Sequence, residues 1–182
     1  MDPLLIAGIV LGLALPIGIY FFRESRYRNP AARWPALAAS LSFTYADSPP
    51  RLSGRWKERE VLLTAVEGGA VLSCALRPGG AFRVEAGPKE LLEKEAGMVV
   101  PDRVRVPDSA LDAKLLVRAQ PEEAGAALDL NVLRRLLEFP GARVLATPGR
   151  ADLRLSEPPS EAAQVRQAAD IVVALADSLD PQ

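Results

Sequence analysis

The run from Leu4 to Phe22, LLIAGIVLGLALPIGIYFF, contains no charged residue. It constrains the chain more than any other feature. A helix rises about 1.5 Å per residue, so this stretch roughly matches a bilayer core of about 30 Å. It is expected to form a single transmembrane helix. A secretory signal peptide is the rival reading, but it would start with cations, carry a shorter apolar core and end at a small-residue cleavage site. Here the start is Met1-Asp2-Pro3, and the cations follow the run at Arg23, Arg26, Arg28 and Arg33, opposed only by Glu24. An excess of Lys and Arg marks the cytoplasmic flank of a span. The expectation is an uncleaved anchor with its basic flank over residues 1–28, N-terminus outside. Residues 29–182 then form a cytoplasmic domain at a bacterial inner membrane.

Within the run, Gly8 and Gly12 form a small-xxx-small pattern that Pro16 continues on the same face, and Ala14 and Gly18 make a second pair. Such faces let helices approach closely in lipid. The plainer alternative is that glycine is common in membrane helices. Pro16 removes a backbone donor and clashes with the preceding turn, which predicts a modest kink. The arginines after Phe22 set topology among lipid headgroups, or else bind a particular anionic lipid or a partner. Trp34 fits either the membrane interface or the first layer of the soluble core.

Removing the anchor leaves about 150 residues, enough for one domain with its own core. The formal net charge is -1, so no bulk charge favours nucleic acid. The single cysteine, Cys74, excludes an internal disulfide and suits a reducing compartment. The absence of histidine removes the commonest general base and transition-metal ligand. Arginine outnumbers lysine 18 to 4, which reads as the coding bias of a GC-rich bacterial genome.

Along the chain, Asn29-Pro30 predicts a helix start, and Trp34, Leu37, Ala38 and Leu41 follow at helical spacing. After the break at Ser48-Pro49-Pro50 comes a meander of four strands. Leu52 to Trp56 is the first, and Val61 to Val66, apolar on both faces, reads as central. Val71 to Leu76 and Ala81 to Ala86 complete it, separated by glycine-rich turns. Gly87-Pro88 opens a short helix. Val99 to Val106 and Ala113 to Ala119 read as strands around a turn at Pro107-Asp108-Ser109. Pro121 to Ala127 and Leu130 to Glu138 read as helices, the second capped by Asp129. Thr147-Pro148-Gly149-Arg150 is a type II turn between two strands. A last helix, capped by Ser160, runs to Leu179 and should pack on a sheet face. The fold class is therefore α+β: a single N-terminal transmembrane helix, then a mainly antiparallel sheet with helices packed on it.

Three patterns carry a resemblance. Leu41-Ser42-Phe43 precedes a Pro-rich break and Leu52-Ser53-Gly54-Arg55. Pro107 to Val117 is similar to a loop-then-strand signature, with Leu111 and Leu115 where aromatics are usual. The order of elements, helix, hairpin, terminal helix, is the third. Together they resemble a domain of bacterial single-pass membrane proteins, across most of the soluble part. That domain usually has Gly-Arg where this chain has Glu58-Arg59. It has no established activity, so the resemblance implies no catalytic residue.

The chain lacks the Gly-rich nucleotide motifs, the nucleophile elbow and the zinc-protease motif, and one thiol cannot build a cysteine zinc site. No cofactor or metal is expected. Cys74 alternates with Leu72 and Leu76 and should point into the core. Asp102, Asp108 and Asp112 form the densest carboxylate group, which suits either acid–base or metal chemistry or, more simply, turns and caps. Arg83, Arg103, Arg105 and Arg118, with Arg143 and Arg154, alternate with apolar residues on strands. If several share a face they make a basic platform for anions; otherwise they belong to a solvated face salted with Glu85 and Asp152. The leading expectation is a non-enzymatic accessory or assembly subunit of a larger respiratory, photosynthetic or transport complex, in contact with membrane lipid and other transmembrane helices. The alternative is a membrane-tethered sensor or anion-binding module. A hydrolase using Asp112 ranks third.

Overall fold

Asn29-Pro30 does start a helix. The computed structural model describes residues 29–79, 81–94 and 101–180, and its first element is α1 (Pro30–Leu41). The apolar run, its small residues Gly8, Gly12, Ala14, Pro16 and Gly18, and Arg23, Arg26 and Arg28 all lie outside the described residues. Among the described residues, no helix is long and apolar enough to cross a membrane.

From α1 the chain enters β1 (Thr44–Asp47), β2 (Pro50–Trp56), β3 (Arg59–Val66), β4 (Gly69–Ala75) and β5 (Arg83–Pro88). A short α2 (Lys89–Lys94), β6 (Asp102–Val104), α3 (Ser109–Lys114) and β7 (Leu115–Gln120) follow. Then come α4 (Glu122–Ala126), α5 (Leu130–Leu136), β8 (Arg143–Thr147), β9 (Arg150–Leu155) and the long α6 (Ala162–Leu179). The strands form one sheet in the order β1-β2-β3-β4-β9-β8-β5-β7-β6, with every pairing antiparallel. The fold is thus α+β around a mainly antiparallel sheet.

Period-two alternation gives the sheet two unlike faces. Leu52, Val61, Leu63, Leu72, Val84, Val117, Val144 and Leu153 are buried on one face. Against it α6 lays Val165, Ala168, Ala169, Val172, Leu175 and Ala176, all buried. Each Leu or Val covered this way contributes about 1.5–3 kcal/mol. α6 starts with a capping box. Glu161 is the N-cap, and Gln164 Oε1 accepts the backbone N–H groups of Ser160 at 2.8 Å and Glu161 at 3.3 Å. The cap therefore falls one residue later than Ser160.

Trp34 belongs to the core and not to the membrane surface. It is fully buried, and its indole N–H donates to Pro159 O at 3.1 Å, tying α1 to the approach to α6. An amphipathic ring satisfies its one donor inside the domain as well as at a headgroup. Phe43 follows a left-handed Ser42 (φ 57°) and presses its ring on Gly54. A Cβ built on Gly54 would lie 2.1 Å from Phe43 Cδ1. The two outlying pieces of the Leu41-Ser42-Phe43 and Leu52-Ser53-Gly54-Arg55 pattern thus meet as one contact.

Three expectations are corrected. β3 is not buried on both sides: Val61 and Leu63 face the core, while Leu62 and Val66 are exposed on the other face. The strand placed at Val99 to Val106 shrinks to Asp102–Val104 among the described residues. The segment after Pro107 is the helix α3. Asp108 Oδ1 accepts the N–H groups of Ala110 at 3.0 Å and Leu111 at 3.2 Å. A carboxylate N-cap followed by Ser-Ala-Leu-Asp-Ala-Lys favours helix over strand until the chain turns into β7 at Leu115.

Candidate functional site

Opposite the helix-covered face, the sheet shows its alternate side chains to solvent. Glu85 on β5 stands across from Arg118 on β7 and from Leu145 on β8. Arg143 on β8 stands across from Arg154 on β9. Arg83 lies two residues from Glu85 on the same strand and face. α2 turns back over this end of the sheet, and Arg118 Nη1 donates to Leu92 O at 3.2 Å. Together Arg83, Glu85, Leu92, Arg118, Arg143 and Arg154 line a cleft of about 190 Å³ above Leu145.

Glu85 is the carboxylate among the side chains that line this cleft. Glu85 accepts from Arg83 Nε at 2.8 Å. Its side chain is largely covered, whereas that of Arg83 is half-exposed. Asp152, the buried charged residue of the neighbouring strand, is already satisfied. Arg150 pairs with it at 2.8 Å and Ser73 Oγ donates to it at 2.7 Å. It therefore does little to neutralise the cleft. Like charges directly opposite one another destabilise a strand pair. Burial first, and then the neighbouring Arg154 charge, push the Arg143 pKa down, with Glu85 acting in the opposite sense. The arrangement concentrates guanidinium donors over a semi-enclosed surface, where they can take planar or tetrahedral oxyanions.

Of the arginines singled out by alternation, Arg83 and Arg118 meet Arg143 and Arg154 here. Arg103 and Arg105 do not join them. Arg103 sits across from Arg118 on the edge strand β6, but its Nη2 donates to Asp112 Oδ2 at 2.8 Å, at the far side of that edge. Arg105 follows the end of β6 and acts on the same Asp112 carboxylate. Arg33 is partly exposed on α1, away from this cleft. The short helix opened at Gly87-Pro88 is legible in the sequence, but its turn back over the open face, which sets the Leu92 carbonyl on Arg118, is not.

The carboxylate group of Asp102, Asp108 and Asp112 resolves into structural roles. Asp108 caps α3 and pairs with Arg134 at 2.9 Å. The Arg134 hydrogen bond, with the backbone N–H of Leu111, holds its carboxyl below the usual range. Asp112 accepts the Val106 N–H at 3.2 Å and the Arg103 guanidinium. These hold its carboxyl low against a smaller desolvation effect. Both carboxylates are committed to bonds that fix a loop. Asp102 is exposed on β6. Among the described residues, no three His, Cys, Asp or Glu side chains gather as a metal site. Cys74 is buried, and burial pushes its thiol up, with Arg59 pulling the other way.

No family model matches the chain, and no curated protein matches it. Among solved structures, the fold is similar to that in the crystal structure of the mycobacterial trehalose monomycolate transport factor A, TtfA. The TM-score is 0.61 at 15% identity, over 84% of this chain and 95% of that one. At this identity the likeness establishes a shared fold.

Proposed function

We propose that this chain is a membrane-tethered, non-enzymatic accessory factor of a bacterial transport assembly. The observation that carries the proposal is the pairing of two features. An apolar run long enough to span a bilayer precedes a domain whose fold matches, nearly end to end, that of a protein named as a transport factor. The role of Asp108 and Asp112 as loop-fixing carboxylates supports it, because the group most suited to hydrolysis is engaged in holding structure. In this reading residues 4–22 anchor the chain, and Gly8, Gly12, Ala14, Pro16 and Gly18 offer close-approach faces to helices of the partner. Arg23, Arg26, Arg28 and Arg33 hold the domain on the cytoplasmic side among lipid headgroups. Purification in mild detergent from the native membrane, at native expression, tests it. An integral membrane protein that co-purifies in constant ratio is the expected result; a lone monomer overturns the proposal.

One observation favours a second reading, that of a membrane-tethered sensor or anion-binding module. It is the convergence of Arg83, Arg118, Arg143 and Arg154 on one cleft. The two readings are compatible, since an accessory factor can carry a ligand site.

A further inference from the structure

We infer that the domain rests on the bilayer through one end, with Val66 seated in the lipid headgroup layer. The contact surface is the β3–β4 turn together with the approach to α6. The inference rests on the anchored reading above, because the tether decides which end meets the membrane.

Only residues 23–28 separate Phe22 from Asn29. That length of chain reaches at most about 25 Å. Arg33 lies one helical turn further on and shares a groove with Val66, Glu67, Gly68, Glu157 and Pro158. Arg33 has interactions of its own; it marks the place and is assigned no ligand. Trp34 ties the same turn of α1 to Pro159, at the approach to α6. The tether, the β3–β4 turn and that approach therefore belong to one end of the sheet. The turn at Lys57 and Glu58 closes the other end of β3. The strand has 8 residues, and at about 3.4 Å each the two ends stand roughly 25 Å apart.

The near end carries an apolar side chain that the fold leaves uncovered. Val66 is 46% exposed, more than any other large hydrophobic side chain among the described residues. Its cross-strand partner is Gly69, which has no side chain to lay over it. Gly69 cannot carry one, because a Cβ there would lie 2.0 Å from Leu155 O. At Gly68 a Cβ would meet nothing within 4 Å, so the apex of the turn is open. Single exposed valines are ordinary on a protein surface; this one lies at the end that the tether holds beside the bilayer. The tether also gives that end a high effective concentration at the headgroups, so a small apolar contact suffices. Glu67 and Glu157 are exposed in the same groove. Their carboxylates keep the contact at headgroup level, since an unpaired charge does not enter hydrocarbon.

The test places an environment-sensitive fluorophore on Glu67→Cys, Glu157→Cys or Glu58→Cys in the full chain, with the buried Cys74 left in place. Each labelled chain is reconstituted into vesicles of phosphatidylcholine and phosphatidylethanolamine, with or without a nitroxide on the headgroup, and floated. Nitroxide quenching at positions 67 and 157 should exceed that at position 58 by about twofold or more, given the distance between the ends of β3. Val66→Glu should lower quenching at position 157 by about twofold, because the tether alone leaves the end free to turn away. Val66→Thr, which keeps the shape of the side chain, should lower it in the same direction. The urea midpoint of each variant, followed by the fluorescence of Trp34 and Trp56, separates this effect from loss of folding. A chain that floats yet is quenched equally at all three positions, or is indifferent to both Val66 variants, overturns the docking and leaves the anchor standing. A chain that does not float overturns both. Shielding of position 67 that grows with the protein-to-lipid ratio, without headgroup quenching, gives the surface to a second copy and overturns the lipid contact.

Discussion

Replacing Gly54 by alanine should change the sign of its effect according to what stands at position 43. The added Cβ would lie 2.1 Å from Phe43 Cδ1 and 2.6 Å from both Cγ and Cε1. Carbon atoms in contact prefer about 3.5–4.0 Å, so the ring must retreat by roughly 1.5 Å. Three of its rigid atoms are involved, and Phe43 sits in the buried core, so no flexible end can swing aside. Overpacking of this kind costs about 1–3 kcal/mol. In a Phe43→Ala background the obstacle is gone. There, alanine in a strand interior is favoured over glycine by about 0.5–1 kcal/mol. The two substitutions should therefore be coupled by roughly 1.5–4 kcal/mol. Urea unfolding of the full chain in an uncharged detergent, followed by the fluorescence of Trp34 and Trp56, gives the four stabilities of the cycle. An equal cost for Gly54→Ala on both backgrounds would refute the packing argument.

The turn between β2 and β3 holds Lys57 at φ 45° and Glu58 at φ 68°, both left-handed. The Arg55–Glu58 ion pair there is exposed and contributes little. Glu58→Gly should raise stability by about 0.5–1 kcal/mol, the relief of left-handed strain less the added entropy of the unfolded chain; a lower urea midpoint would contradict this. The folded-state pKa of Asp112 is depressed, so its bonds stabilise the fold above the unfolded pKa, and that contribution disappears as pH falls through the folded value. The stability deficit of Asp112→Asn should be greatest near neutrality and close below about pH 4, whereas a deficit constant across pH would point to packing alone. Cys74 is buried with a raised thiol pKa, so its alkylation by iodoacetamide at neutral pH should be slow and keep pace with unfolding. Rapid labelling of the native protein would show that it is reachable.

Local chemistry made several elements readable from the sequence. Asn29-Pro30 marked α1, Asp129 marked α5 through its side-chain bond to Asn131 N, and Thr147-Pro148-Gly149-Arg150 marked the β8–β9 turn. β1 escaped notice because Thr-Tyr-Ala-Asp is a four-residue polar edge strand with no alternation to detect. α3 was obscured because a helix of six residues between a proline turn and an apolar strand blends into both. β3 is interior to the sheet, paired with β2 and β4 as its apolar run suggested, but it is not buried on both faces, because an antiparallel sheet tolerates exposed apolar side chains such as Leu62 and Val66 on its open face. The positions of the arginines on strand faces could be read from alternation. Their convergence could not, because it depends on β9 pairing with β4 and β8 pairing with β5. Those contacts join segments far apart in the chain, and no local residue encodes them.

Cross-linking in intact cells, with the partners recovered from the native membrane, tests the proposed role most directly. The expected outcome is a discrete adduct between this chain and an integral membrane transport protein, lost when residues 1–28 are replaced by a soluble tag. A chain that washes free of the membrane, or that stays there without any such adduct, would contradict it.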